Sequence, residues 1–216
     1  MASPDEQIFQ QLLDVGIALT SEHDLNRLLA RILTEARRLT GADAGTLYLV
    51  EGGQLRAEVG QCQTFMDRWG PEQAADVFQS FTIPISMDSI AGAAAHTQEI
   101  VNIPDVQNAD KSCRFHYDPS YDKKHDYSTH SNLAAPLLDP DGTVIGVLQL
   151  INATARGRVV PFDTHRVKLA RALASQAAVS IRNARLTQDL REAHLDTLRR
   201  LGVAAEWRDK ETANHI

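Results

Sequence analysis

From Phe162 to Leu201 the chain contains neither proline nor glycine. A helix of about forty residues is the expected result, and that is longer than one small core can cover. Such a helix starts packed on a domain and then leaves it as a connector. Near the other end, Ile8, Leu12, Val15 and Leu19 recur at helical spacing, in a stripe as narrow as a coiled-coil seam. Apolar stripes on both terminal helices exceed what one domain covers, so two copies of the chain are expected to pair through them.

Between these arms the 216 residues suit a single domain. Ser21 and Asp24 read as the cap of a helix whose buried face is Leu25, Leu28, Leu29, Ile32, Ala36 and Leu39, with Gly41 just past its end. Ala44 to Val50 and Leu55 to Val59 are strand-like around a Glu51-Gly52-Gly53 turn, and Pro71 opens a short helix within the stretch Gly60 to Ser80. Phe81 to Ile85 is a short strand, with Pro84 favouring an edge position. Asp88 or Ser89 caps a helix of small residues from Ile90 to Ala95, and Ile100 to Ile103 is a strand ended by Pro104. Asn132 to Leu138 and Thr143 to Ile151 form a second hairpin around Asp139-Pro140-Asp141-Gly142.

The segment from Asp105 to Ser131, rich in Asp, His and Tyr, is too long and too decorated for a plain connection. Cys113, His116, His125 and His130 invite a zinc or haem reading, but their spacings match no standard zinc module and loop histidines are commonly solvated. Phe115, Tyr117, Tyr121 and Tyr127 either stack on a planar ligand or staple the loop to the domain. The helix start at Ser89, Ile90 and Ala91 either packs against a sheet or offers its amides to a polar or anionic group. Asn102 and Asp105 either contact a ligand or shape the turn around Pro104.

Composition removes several classes of function. A net charge of -6 with both signs interspersed offers no basic face for a phosphate backbone, so nucleic acid is not an expected partner. No apolar stretch approaches the roughly 20 residues that cross a bilayer, and the acidic start MASPDEQIFQ is unlike a signal peptide, so no membrane is expected and the location is cytoplasmic. Two cysteines are too few for a disulfide framework. Neither a Gly-x-Ser-x-Gly motif nor a Gly-rich phosphate loop occurs, so catalysis within the chain is not expected.

From about Leu12 to Leu186 the chain resembles the GAF domains. The resemblance is carried by Ser89-Ile90-Ala91-Gly92, by Val101-Asn102-Ile103-Pro104-Asp105, and by Leu133 to Asp139 continuing into Gly146-Val147-Leu148-Gln149-Leu150-Ile151-Asn152. It implies an α+β fold, PAS-related, with a mainly antiparallel central sheet flanked by helices and long helices at both ends. The variant is similar to the GAF domains of cyclic-nucleotide phosphodiesterases and adenylyl cyclases, which implies a cyclic nucleotide or another small ligand in a pocket under the loop. Carried over by position, the ligand-binding residues are Ser89, Ile90, Ala91, Asn102, Ile103, Asp105, Phe115, Tyr127, Thr129 and Asn132. In that subfamily Asn-Lys...Phe-x-x-x-Asp-Glu accompanies nucleotide binding. Here Asn152 and Phe162 match while Ala153, Arg166 and Val167 depart. In the loop Asp122, Tyr127 and Thr129 keep register, whereas His125-Asp126 and His130 replace the usual Thr-Gly and Arg. A kept frame with altered chemistry points to a changed ligand, or to none.

Thr197 to Ile216 is similar to the opening of HD-GYP phosphodiesterases, which hydrolyse cyclic di-GMP. By that resemblance Glu211 and His215 are metal ligands of an incomplete site, and their spacing of four puts both on one helix face. Divalent metals then belong only to the complete parent enzyme. The expected organisation is a helical arm at 1–20, a GAF domain at 21–186, a connector helix at 187–203 and the start of an HD-GYP domain at 204–216. The alternative is a structural dimerisation module that binds nothing.

Overall fold

A computed structural model describes residues 4–22, 24–109, 117 and 119–213, with the outermost turns of the terminal helices described by backbone alone. The elements are α1 (Pro4–Thr20), α2 (Leu25–Thr40), β1 (Ala42–Glu51), β2 (Gln54–Cys62), α3 (Gln63–Val77), β3 (Thr82–Pro84), α4 (Ile90–Thr97), β4 (Val101–Ile103), α5 (Ser120–His125), β5 (Asn132–Leu138), β6 (Val144–Ala155), β7 (Arg158–Val160) and α6 (Thr164–Ala213). The strands form one antiparallel sheet in the order β3-β2-β1-β6-β5-β4, with β7 on the end of β6. This is the α+β architecture expected from the sequence.

Alternation along the central strands sorts side chains onto two faces. Leu47 and Leu49 of β1, Leu133 and Leu137 of β5, and Leu148 and Leu150 of β6 point to one face, where α1, α2 and α6 bury them. Helix α2 fits this face because Leu28, Leu29, Ile32, Leu33 and Ala36 share one side of it. Asp24 caps its start by accepting from the Arg27 amide at 2.9 Å, an interaction worth about 1 kcal/mol. The opposite face carries Tyr48, Ala57, Ala134 and Val147 under α4, whose Ile90, Ala91 and Ala94 pack onto them.

Two sequence expectations are corrected. The short helix expected at Pro71 begins earlier, at Gln63, and Gly70 (φ 83, ψ 165) divides α3 into two pieces. Pro71 disfavours helical backbone at the residue before it, and then starts the second piece in a position that needs no amide hydrogen. The terminal helix does not stop at Gly202: α6 runs for 50 residues, through that glycine to Ala213. One glycine costs a helix only about 1 kcal/mol, which a long helix tolerates. Among its described side chains the last buried one is Ala184, and Leu186, Leu190, Leu195, Leu198 and Leu201 are exposed.

Gly60 on β2 lies directly under the Phe78 ring: a Cβ there would come within 2.1 Å of it. Gly60→Ala is therefore expected to destabilise the domain by about 1–3 kcal/mol in urea unfolding. Phe78→Ala in the same chain is expected to recover part of that loss, since the two residues occupy one space. An unchanged midpoint in Gly60→Ala would refute this packing.

Candidate functional site

The face under α4 is not uniformly apolar. Tyr48 of β1, Gln149 of β6 and Asn132 of β5 lie on it as a connected polar row. The Tyr48 hydroxyl donates to Gln149 Oε1 at 3.1 Å, and Gln149 Nε2 donates to Asn132 Oδ1 at 3.1 Å. Tyr48 and Asn132 are buried, and burial pushes the Tyr48 phenol well above its ordinary pKa. Thr46, paired with Gln149 across the sheet, is buried beside them. On one side of the row lies the apolar group of Leu55, Ala57, Ile90, Ala91, Ile103 and Val147. On the other lie Ala44, Cys62, Phe65 and Ala74, with Phe78 and Tyr127 against them.

Over this face lie the described parts of the 105–131 segment, 105–109, 117 and 119–131, with Val106, Ala109, Tyr117 and Tyr127 packed against it. At its mouth the Val106 amide donates to the His130 carbonyl at 2.8 Å, and Gln107 Nε2 donates to Ser128 Oγ and the Thr129 carbonyl. Inside, the buried Asp122 carboxylate accepts from the Thr129 amide at 2.5 Å, from the Thr129 hydroxyl at 3.0 Å and from the Tyr117 hydroxyl. Asn152, in left-handed backbone (φ 55), fixes the far end. Its Nδ2 donates to the Ser128 carbonyl and Tyr127 hydroxyl, and its Oδ1 accepts from the His130 amide at 2.7 Å.

Tyr127 connects this lid to a polar cluster at the end of β1. Its hydroxyl donates to Asp43 Oδ2 at 2.8 Å, and Asp43 also accepts from the Thr64 amide and hydroxyl and from the Cys62 thiol. Arg37 of α2 closes the cluster, donating to the Asp43 carbonyl at 2.9 Å and to Gln61 at 3.0 Å. Burial pushes the Cys62 thiol up to about 12 and raises Tyr127 as well, with the Asp43 charge adding to both. Burial lowers the Arg37 guanidinium, against the pull of Asp43.

The residues named from sequence are placed in different ways. Ile90, Ala91 and Ile103 line the α4 side of the face, and Asn132 is part of the polar row. Ser89 caps α4, its hydroxyl accepting from the Gly92 amide at 3.0 Å, and Asp105 closes a turn by accepting from the Gln107 amide and Asn108. Thr129 and Tyr127 hold the lid, as above. Asn102 points to the opposite face of the sheet, because Val101 and Ile103 take the near one, and its Nδ2 donates to the Phe162 carbonyl at 2.9 Å. Phe115, Cys113, His116 and His215 lie outside the described residues, and of Glu211 only the backbone is described, within α6. His125 packs against Phe65 and Tyr121, whereas His130 faces Asp105 and Ser128. Among the described residues no group of three or more His, Cys, Asp or Glu is placed to hold a metal ion. Tyr48, Gln149 and Asp43 were not singled out from sequence. The signals for Gln149 are its place in the Gly146 to Asn152 motif and its polar side chain inside the apolar run Leu148-Gln149-Leu150.

The model of the GAF domain family matches residues 24–181. The chain belongs to the GAF family. It is 30% identical over 194 residues to a cGMP-specific 3',5'-cyclic phosphodiesterase of Drosophila mojavensis, an alignment covering 86% of this chain and 16% of that much longer protein. In fold it is similar to the GAF domain of a phosphoenolpyruvate-protein phosphotransferase from Coxiella burnetii (TM-score 0.64, 15% identity, 87% of this chain and 99% of that one). It is also similar to a GAF domain/HD domain protein from Geobacter sulfurreducens (TM-score 0.55, 17% identity, 78% and 98% covered).

The GAF motif positions that depart in sequence have other work here. Ala153 is fully buried in the helix-side core. Arg166 donates from Nε to the Thr40 carbonyl at 3.0 Å and pairs with Asp163 at 2.6 Å, joining the start of α6 to the end of α2. The match at Asn152 is the residue that pins the lid.

Asp122→Ala leaves the Thr129 amide and hydroxyl without their acceptor, and is expected to cost about 3 kcal/mol. Differential scanning calorimetry should show Tm lower by roughly 10 °C. The raised Cys62 pKa means that the folded protein favours the protonated thiol. Its contribution to stability is complete below the ordinary value of 9.0 and is lost as pH rises through about 12. In a Cys113→Ser background, thiol-reactive dye at pH 8 should label Cys62 only after unfolding, and rapid labelling of the native protein would contradict this environment.

Proposed function

We propose that this GAF domain senses a small molecule held between the Tyr48–Gln149–Asn132 row and the lid that 105–109 and 119–131 contribute to, and passes its occupancy along α6 to a downstream catalytic domain. The polar row inside an otherwise apolar face carries the proposal, because a few placed polar groups in apolar surroundings are what orient a small ligand. A side-chain amide has two donors and an acceptor with two lone pairs, so the bonds within the row leave capacity to read a ligand edge. A cyclic nucleotide fits this chemistry: a planar base against the row, and a phosphate toward the first amides of α4, which precede the helical ladder. Proteins related to this chain include cGMP-specific phosphodiesterases, which supports the same class.

For the output, residues 197–216 resemble the opening of HD-GYP phosphodiesterases, and the Geobacter protein similar in fold combines a GAF and an HD domain. The proposed target is therefore a metal-dependent cyclic di-GMP phosphodiesterase domain, with Glu211 and His215 among its ligands. In this proposal the protein acts in the cytoplasm as a homodimer joined through α1 and α6. Among the described residues no helix is long and apolar enough to cross a membrane.

A second reading, a dimerisation module that binds nothing, is favoured by one observation. Ser89, Tyr127, Thr129 and Asn132 all have partners within the chain. Thermal shift with cGMP, cAMP and cyclic di-GMP, together with native mass spectrometry of protein as purified, separates the two. Sensing predicts a saturable rise in Tm, about 2.7 kcal/mol of stabilisation at a hundredfold excess over Kd, and its loss in Gln149→Leu. Silence in both measurements favours the scaffold.

A further inference from the structure

Strand β4 is three residues long, sits at the sheet edge, and leads directly into the lid. Its outer residues, Val101 and Ile103, pair with Ala134 and Asn132 of β5 and face the candidate site, where Ile103 is buried beside Ala134. Its middle residue, Asn102, pairs with Leu133 and faces the helices. The Asn102 side chain reaches the Phe162 carbonyl at 2.9 Å. Phe162 is itself buried in the helix-side core, and Asp163 after it caps α6 by accepting from the Arg166 amide at 2.9 Å. A single short strand thus touches the site with two side chains and holds the first residues of the long helix with the third.

We propose that Asn102 is the positioning residue that carries the state of the site face through the sheet to the start of α6. The proposal rests on the sensing role given above and specifies its route. The geometry makes β4 the mobile partner of this link. The strand bonds to a neighbour on one side only, whereas the start of α6 is also anchored to α2 through Arg166 and the Thr40 carbonyl. Displacement of Ile103 by an occupant of the site moves the backbone of β4. The Asn102 amide transmits that movement to Phe162 through a directional hydrogen bond, whereas Ile100, just before the strand, meets the helix-side core by apolar packing. An Asn at this position has the needed N–H donor on a side chain short enough to couple strand to helix without slack.

The test uses the full chain and no ligand. The site face is perturbed by Ile103→Ala, and hydrogen exchange by mass spectrometry is read at Val167 to Ala170, the first bonded amides of α6. With Asn102 present, Ile103→Ala is expected to speed exchange there by about tenfold. In Asn102→Asp, which keeps the size and removes the donor, adding Ile103→Ala is expected to change exchange by less than about twofold. The same factor in both backgrounds, or no change with Asn102 present, would overturn the proposal. So would an equal rise at Ile32 and Leu33 of α2, which would mark general loosening. Should Ile103→Ala fail to fold, Ile103→Val is the milder perturbation, with the same outcomes at smaller amplitude. A silent ligand screen alongside non-additive exchange would sink the sensing role while leaving this coupling standing.

Discussion

Strand β6 runs through the middle of the sheet, bonded to β1 on one side and β5 on the other, and its alternation from Val147 to Ile151 decides what each face can be. Leu148 and Leu150 must go where helices cover them, and that forces Val147, Gln149 and Ile151 to the other side. A slip of one residue would bury Gln149 among leucines and leave its amide without partners, at a cost of several kcal/mol. The register that satisfies the core is therefore the register that sets a polar row under the lid. Stability on one face and chemistry on the other come from the same pairing.

The two faces also differ in what happens above them. The helix side is closed by aliphatic packing, and its long element, α6, continues past Ala184, the last of its described side chains to be buried, with the leucines from Leu186 to Leu201 exposed. The candidate-site side is covered partly by apolar packing of α4 and partly by a loop held by hydrogen bonds: Asp122 organises the loop internally, while Asn152 and the Tyr127–Asp43 contact fix it to the body. The departures at Ala153 and Arg166 belong to the helix side, where they serve the joint between α2, the sheet and α6.

Much of the fold was legible because the local signals were consistent with burial. The helical spacing of Leu28, Leu29, Ile32 and Ala36, the cap at Asp24, and the turns at Gly52-Gly53 and Asp139 to Gly142 each name an element with its boundary. The first half of α3 was missed because Gly70-Pro71 reads as a start and conceals the helix before it. Strand β7 is hidden because Arg158–Val160 returns on β6 through a two-residue turn at Arg156 and Gly157 and carries no apolar alternation of its own. The site was less legible for a different reason. Tyr48 meets Gln149 across 101 positions of sequence, and which side Asn102 faces depends on the parity of a three-residue strand, known only once it pairs with β5. Ser89 and Tyr127 were visible as polar residues, but their partners, the Gly92 amide and Asp43, decide what their hydroxyls do.

Alanine-methyl NMR on selectively labelled protein, titrated in turn with cGMP, cAMP and cyclic di-GMP, tests the assignment of the site face most directly. Ala57, Ala91, Ala94 and Ala134 report on that face, while Ala135, Ala170, Ala174 and Ala177 report on the helix side from within the same sample. Binding under the lid predicts saturable shifts centred on the first set, reaching the helix-side set only at Ala170 as the start of α6 responds. No saturable shift with any of the three, or shifts centred on the helix-side set, would contradict the account.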